Sequence, residues 1–196
     1  MSDVATCEVS PVAPAAAAGE LADVVGMSLF LGSGAVLFGS LLMSYAMLRA
    51  QQPVWPPAGC PPPPLLMAAA NTLVLAVSSV SMAHAQVLAA SGLRCVGALC
   101  ATMTLGVLFL VLQLPVWSAL QAAPQFGLMR SVFLLLAGCH ALHLAAGLGA
   151  LAWVLPGALA GESSRHPLAA RVRLCAMFWH FLGVAWAALF LTVFVF

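Results

Sequence analysis

Residues 177–196 read MFWHFLGVAWAALFLTVFVF, without one formally charged side chain. A helix needs roughly 20 apolar residues to cross the hydrocarbon of a bilayer, and this segment supplies that length. Trp179, Gly183, Trp186 and Phe190 recur at helical spacing and draw one continuous stripe. Such a stripe is a packing or lipid-facing surface more readily than a cofactor box. A terminal helix with no polar tail is expected to be buried in a complex.

The rest of the chain has the same character. Of 196 residues, 64% are hydrophobic and only 6% are charged, with a mean hydropathy of +1.11. A soluble domain carries about 25% charged residues, so the composition is that of an integral membrane protein. The formal net charge of +1, with Arg as the only strong base, excludes a nucleic-acid-binding surface. Residues 1–25, mildly acidic and rich in Ala and Pro, lack the basic segment of a signal peptide and are expected to be a disordered or extended lead-in. Cys7, Cys60, Cys95, Cys100, Cys139 and Cys175 show no CxxC spacing. Thiols inside apolar segments act as small hydrophobes, a reading preferred over disulfides or a thiolate metal site.

Four more stretches are long and apolar enough to span, at about 26–48, 65–90, 95–117 and 131–155, with the last at 174–196. Lipid cannot satisfy an open backbone, so the spans are helices. The predicted fold is all-α: a polytopic membrane protein whose residues 26–196 form a five-transmembrane-helix bundle. The connectors hold the breakers and most of the charge, including the proline-rich WPPAGCPPPP at 55–64. Arg94, Arg165, Arg171 and Arg173 fall on the side of the N-terminus, against Arg49 and Arg130 on the other. By the positive-inside rule the N-terminus is expected in the cytoplasm and the C-terminus outside.

Several positions draw attention as sites. In the first span Ser33, Ser40 and Ser44 share a face beside Gly32 and Gly39, the small-residue surface expected to pack against another helix. In the fourth, His140 and His143 stand one turn apart. Intramembrane imidazoles are functional candidates by default, but a haem held by two histidines needs them on opposite sides. Counting along the helices, His84 and His180 lie about 10 Å inside the boundary on the N-terminal side, whereas His140 and His143 are nearer the midplane. The four do not share one depth, and neutral, hydrogen-bonded packing histidines are the preferred reading over metal ligands. Arg171 and Arg173 lie at the inner boundary, where a guanidinium can hold a lipid phosphate bidentately.

Taken together, these segments resemble subunit III of the haem-copper respiratory oxidases. The resemblance runs from residue 27 to residue 196. Phe30, Leu31, Ser33, Phe38, Tyr45, Leu48 and Arg49 are similar to the family's first-span FLxSExxxFxxxxxxYxxLR. WPPAG resembles its external loop, and Asn71, Thr72, Ser78 and Ser79 its NTxxLLxSSxT. Gln113 with Trp117 resembles GxxFLxxQxxEW, and His140, His143 and Gly147 resemble GxHGxHVxxGL. FWHFLGVAWAALF is similar to YWHFVDVVWLFLF, which accounts for Trp179 and His180 at the head of the last span.

The resemblance implies a non-redox accessory subunit of the shorter, five-span bacterial form, in the bacterial cell membrane. It implies no catalytic, cofactor-binding or metal-ligating residue in this chain, with haem and copper held by a partner catalytic subunit, and lipids in a cleft between helices. Candidates for lipid or subunit contact are Arg171, Arg173, Trp179, His180, Trp186, His140, His143, Asn71 and Ser33. The chain departs from the family pattern at Gly34, Val116 and Gly183, where the family has acidic residues. Any role of a buried carboxylate is therefore lost from these positions. An accessory subunit of a nitric oxide reductase, a haem-binding anchor and a small transporter are the alternatives. The inverted repeats and broken helices of transporters are not visible here.

Overall fold

The computed structural model describes residues 12–51, 65–121, 127–161 and 166–195. Five helices follow one another: α1 (Val12–Ala50), α2 (Leu65–Ala90), α3 (Val96–Gln121), α4 (Gly127–Leu159) and α5 (His166–Phe190), the last prolonged by a π-helical turn, Leu191–Val195. All five contain a stretch long and apolar enough to cross a membrane, and the chain is a multi-pass membrane protein. The predicted start and end of the second span coincide with α2. Trp55, Cys60 and the proline run lie outside the described residues, as do Cys7, Arg165 and Glu162.

The other helices run past the predicted boundaries. Residues 12–25 are helical as the opening of α1 rather than extended. Ala is the best helix former, and the run at 15–18 propagates the helix, while Pro14 stands in the first turn where no intrahelical N–H is lost. α5 likewise starts at His166, so Arg171 and Arg173 are helical residues, not part of a loop. A helix of 39 residues is about 58 Å long, well beyond the roughly 30 Å hydrocarbon layer. Its first turns, with Glu20 and Asp23, therefore project past the apolar zone.

Two glycines close helices. Gly92 has φ of 69° and Gly161 of 77°, the left-handed region open to a residue without Cβ. At the end of α2, Gly92 N–H donates to Ala89 O at 3.1 Å and Leu93 N–H to Leu88 O at 2.9 Å. This paired closure satisfies the last carbonyls of α2 and reverses the chain within residues 91–95, so α2 and α3 form a tight antiparallel hairpin.

α5 is the central element, packing on α1, α2 and α4. Trp179, at 1% exposure the anchor of the core, lies between two glycines of neighbouring helices. A Cβ on Gly106 of α3 would stand 2.8 Å from its ring, and one on Gly147 of α4 would stand 3.3 Å away. The small-residue stripe of α1 behaves otherwise. Ser33, Ser40 and Ser44 are exposed, and a Cβ on Gly32 or Gly39 would meet nothing within 4 Å. Among the described residues that face is not closely packed on another helix, and α1 lays Phe38 and Tyr45 against the bundle instead.

This packing sets a stability contrast. Gly106→Ala forces the rigid indole to move and is expected to destabilise the chain by about 1–3 kcal/mol, whereas Gly32→Ala meets open space and is expected to leave stability unchanged or raise it by up to about 1 kcal/mol. Thermal unfolding midpoints of the two variants in detergent check this; equal midpoints would contradict the close packing at Trp179.

Candidate functional site

The polar groups buried at lipid depth bond helix to helix at two levels of the bundle, about two turns apart. Trp179 Nε1–H donates to Ser78 Oγ at 3.1 Å, and the Ser78 hydroxyl donates to Thr102 O at 3.2 Å. One step further along α5, Trp186 Nε1–H donates to Thr72 Oγ1 at 3.0 Å, while that hydroxyl donates back to Ala68 O at 2.8 Å. Asn71 Nδ2 donates to Gln113 Oε1 at 2.8 Å and ties α2 to α3. Apart from the Thr72 back-bond to Ala68, each of these bonds joins two helices where water is not available to compete, and the cost of leaving such groups unpaired is what fixes the register.

His140 is buried at 1% exposure inside a cage of rings. Its centroid lies 5.2 Å from that of Trp186, 5.8 Å from Phe109 and 6.1 Å from Phe38. Neither ring nitrogen has a hydrogen-bond partner in the structure, so the expected hydrogen-bonded packing histidine is here an aromatic packing residue. The aromatic neighbours offer ring edges and faces but no acceptor atom. His143 differs: Nδ1 is 2.8 Å from Cys139 O, the back-bond to its own helix, and its ring lies 5.2 Å from Phe38. Ser33 likewise bonds its own helix, donating to Phe30 O at 2.7 Å. Ser33, Gly34 and His143 line a cavity of about 80 Å³ between α1, α4 and α5. Among the described residues no group of three or more His, Cys, Asp or Glu side chains is placed to hold a metal ion.

The two arginines diverge. Arg173 lines a pocket of about 250 Å³ with Glu20, Asp23 and Gln86, on the N-terminal side of the bundle. Arg171 stands over the Trp153 ring at 5.7 Å from its centroid, at a groove of about 340 Å³ lined by Met27, Phe30, Gly147, Cys175 and Phe178. The serine stripe of α1 does not border this groove. Trp153 escaped the sequence reading; the available signal was a lone indole near the end of the fourth span, on the same side as the arginines. On the opposite side, Arg49 Nη1 donates to Thr192 O at 3.2 Å, tying α1 to the π turn.

Residues 18–196 match the family described as Cytochrome c oxidase subunit III. The chain belongs to the cytochrome c oxidase subunit III family. It is 31% identical to cytochrome c oxidase subunit 3 of Synechocystis, over 87% of this chain and 74% of that one. It is 30% identical to cytochrome bo(3) ubiquinol oxidase subunit 3 of Pseudomonas putida, over 88% and 84%. Cytochrome c oxidase subunit 3 of Thermostichus vulcanus is 28% identical, over 88% and 86%. These relatives are oxidase subunits, which favours the oxidase reading over a nitric oxide reductase. As a subunit III, the chain is an accessory member of an oxidase complex.

Gly34 and Gly183 carry no carboxyl, and the described acids Glu20 and Asp23 lie at the N-terminal end of α1. A hydrophobic carbodiimide attacks protonated carboxyls held in apolar surroundings. The expected outcome is no adduct within residues 27–155 or 174–196, read by mass spectrometry of the labelled chain; a modified peptide from those segments would contradict it.

Proposed function

We propose that this chain is the non-redox subunit III of a haem-copper terminal oxidase in a bacterial cell membrane, its N-terminus in the cytoplasm. It packs beside the large catalytic subunit that holds haem and copper, and it retains phospholipid in the α1, α4 and α5 groove. Neither a redox centre nor a substrate site is assigned to it. The family match along the whole bundle carries this reading, and the use of the lipid-depth polar groups for helix-to-helix bonds supports it.

The lipid assignment rests on complementary chemistry at one place. An acyl chain fits a groove lined by Met27, Phe30 and Phe178, and Arg171 at its mouth supplies charge-assisted donors for a phosphate. The stacked Trp153 ring holds the guanidinium over the groove. Arg173, beside Glu20 and Asp23, is a poorer phosphate ligand because two carboxylates share its pocket.

Purification through a tag on this chain is expected to recover a haem-bearing large subunit with oxygen-reducing activity, and the separated chain is expected to show no haem absorbance. Stoichiometric haem on the separated chain would overturn the proposal. Arg171→Ala is expected to weaken retention of anionic phospholipid about tenfold, as the loss of one charged hydrogen bond does, with Arg173→Ala having the smaller effect. Lipid analysis of the washed complex reads both; the reverse order would move the lipid to the other pocket.

A further inference from the structure

On the outward side of α2 and α5 lies a second groove, of about 360 Å³, unlike the one beneath Arg171. Thr72, Ala76 and Ser79 of α2 form one wall, and His180, Gly183 and Ala187 of α5 the other. The helices are close here: a Cβ on Gly183 would stand 3.1 Å from Ser79 Oγ. Ala76 and Ala187 are exposed, and the adjoining Val184 is 69% exposed. Gly183 and Ala187 are one turn apart, the spacing of small residues that lets a further helix approach a backbone closely in lipid.

Ser79 is what distinguishes this groove. Serines and threonines at lipid depth ordinarily return their hydroxyl to a carbonyl of their own helix. Ser28, Ser33, Ser40, Ser44, Thr104 and Thr192 do so here. Thr72, Ser78, Ser81, Thr102 and Ser118 also donate to backbone carbonyls, and Ser131 has a contact of its own. Ser79 is the helical serine or threonine that has none among the described residues. His180, half-buried on the facing wall, is also without a hydrogen-bond partner there. Ser79 is 11 residues from the end of α2, about 16 Å along the helix, at a depth where lipid tails offer neither donor nor acceptor.

We infer that the α2 and α5 groove receives a transmembrane helix of the complex's large subunit, which sets a hydroxyl or carboxamide side chain between Ser79 and His180. Such a side chain both donates and accepts, so it satisfies the serine and the imidazole at once. An acyl chain fills the volume but leaves both unpaired. The groove beneath Arg171 has the opposite character, with apolar walls and a cation at its mouth. This inference deepens the subunit III reading and rests on it, assigning the face through which the chain meets its partner.

A photoactivatable amino acid in place of Val184, irradiated in the assembled complex, tests it, with Val36 on the exposed face of α1 as the counterpart. The expected result is a covalent product with the large subunit from position 184 and none from position 36. A large-subunit product from position 36 alone overturns the face assignment and leaves the accessory-subunit reading intact. Lipid adducts or products with a second copy of this chain as the sole outcome at position 184 also overturn it. Recovery of no haem-bearing subunit with the tagged chain overturns the underlying reading instead. Ser79→Ala, which removes no bond within this chain, is expected to lower the fraction retained by the complex after a detergent wash about threefold to tenfold. Undiminished retention overturns the hydrogen-bonding role of Ser79.

Discussion

Trp179 is the constraint on which the bundle depends. Its indole is flanked by Gly106 of α3 and Gly147 of α4, and its N–H finds Ser78 of α2. One side chain of α5 thereby sets the distance to three other helices. Lipid supplies no hydrophobic drive to press one helix on another, so close packing and interhelical hydrogen bonds decide which faces meet. Trp186 repeats the device about two turns further along, bonded to Thr72 and meeting Phe109 edge to face at 4.7 Å between centroids. With both indoles seated on α2, the outward strip of α5 from His180 to Ala187 follows as the open side.

The same economy runs through the other buried polar groups. Asn71 and Gln113 bond each other across α2 and α3, leaving Asn71 Oδ1 and Gln113 Nε2 without a partner among the described residues. Thr72 and Ser78 accept indole N–H groups of α5, and His140 is enclosed by rings. These bonds hold the helices in register, and among the described residues no group of three or more His, Cys, Asp or Glu side chains is placed to hold a metal ion. Interaction chemistry is confined to the periphery. Beneath Arg171 it suits an anionic headgroup with its tail, and between Ser79 and His180 it suits another protein.

How much of this was legible in the sequence depended on which physical signal marked each feature. Uninterrupted apolar runs located the five spans, and α2 ends where its run ends because Gly92 closes it. α1 and α5 overran their predicted limits, since Ala and Arg continue a helix beyond the apolar zone at no cost. The ordered motifs pointed to Asn71, Ser78 and Trp179 before their partners were visible. The orientation of each helix was not legible in the same way. In lipid both the inward and outward faces are apolar, so the serine stripe of α1 read as a face packing against another helix. Ser33, Ser40 and Ser44 are nonetheless exposed, and of these Ser33 borders a cavity shared with α4 and α5. His140 read as hydrogen-bonded for a similar reason. Only the three-dimensional arrangement shows that the groups around it are Phe38, Phe109 and Trp186.

The central claim is that lipid-depth polar residues serve packing rather than chemistry, and the Trp179–Ser78 pair tests it most directly. A double-mutant cycle of Trp179→Phe and Ser78→Ala should be read in parallel as unfolding free energy in detergent and as oxygen consumption per assembled complex. The predicted result is a stability coupling of about 0.6–1.7 kcal/mol with turnover per assembled complex unchanged. Zero coupling, or a loss of turnover with stability and assembly intact, would contradict the account.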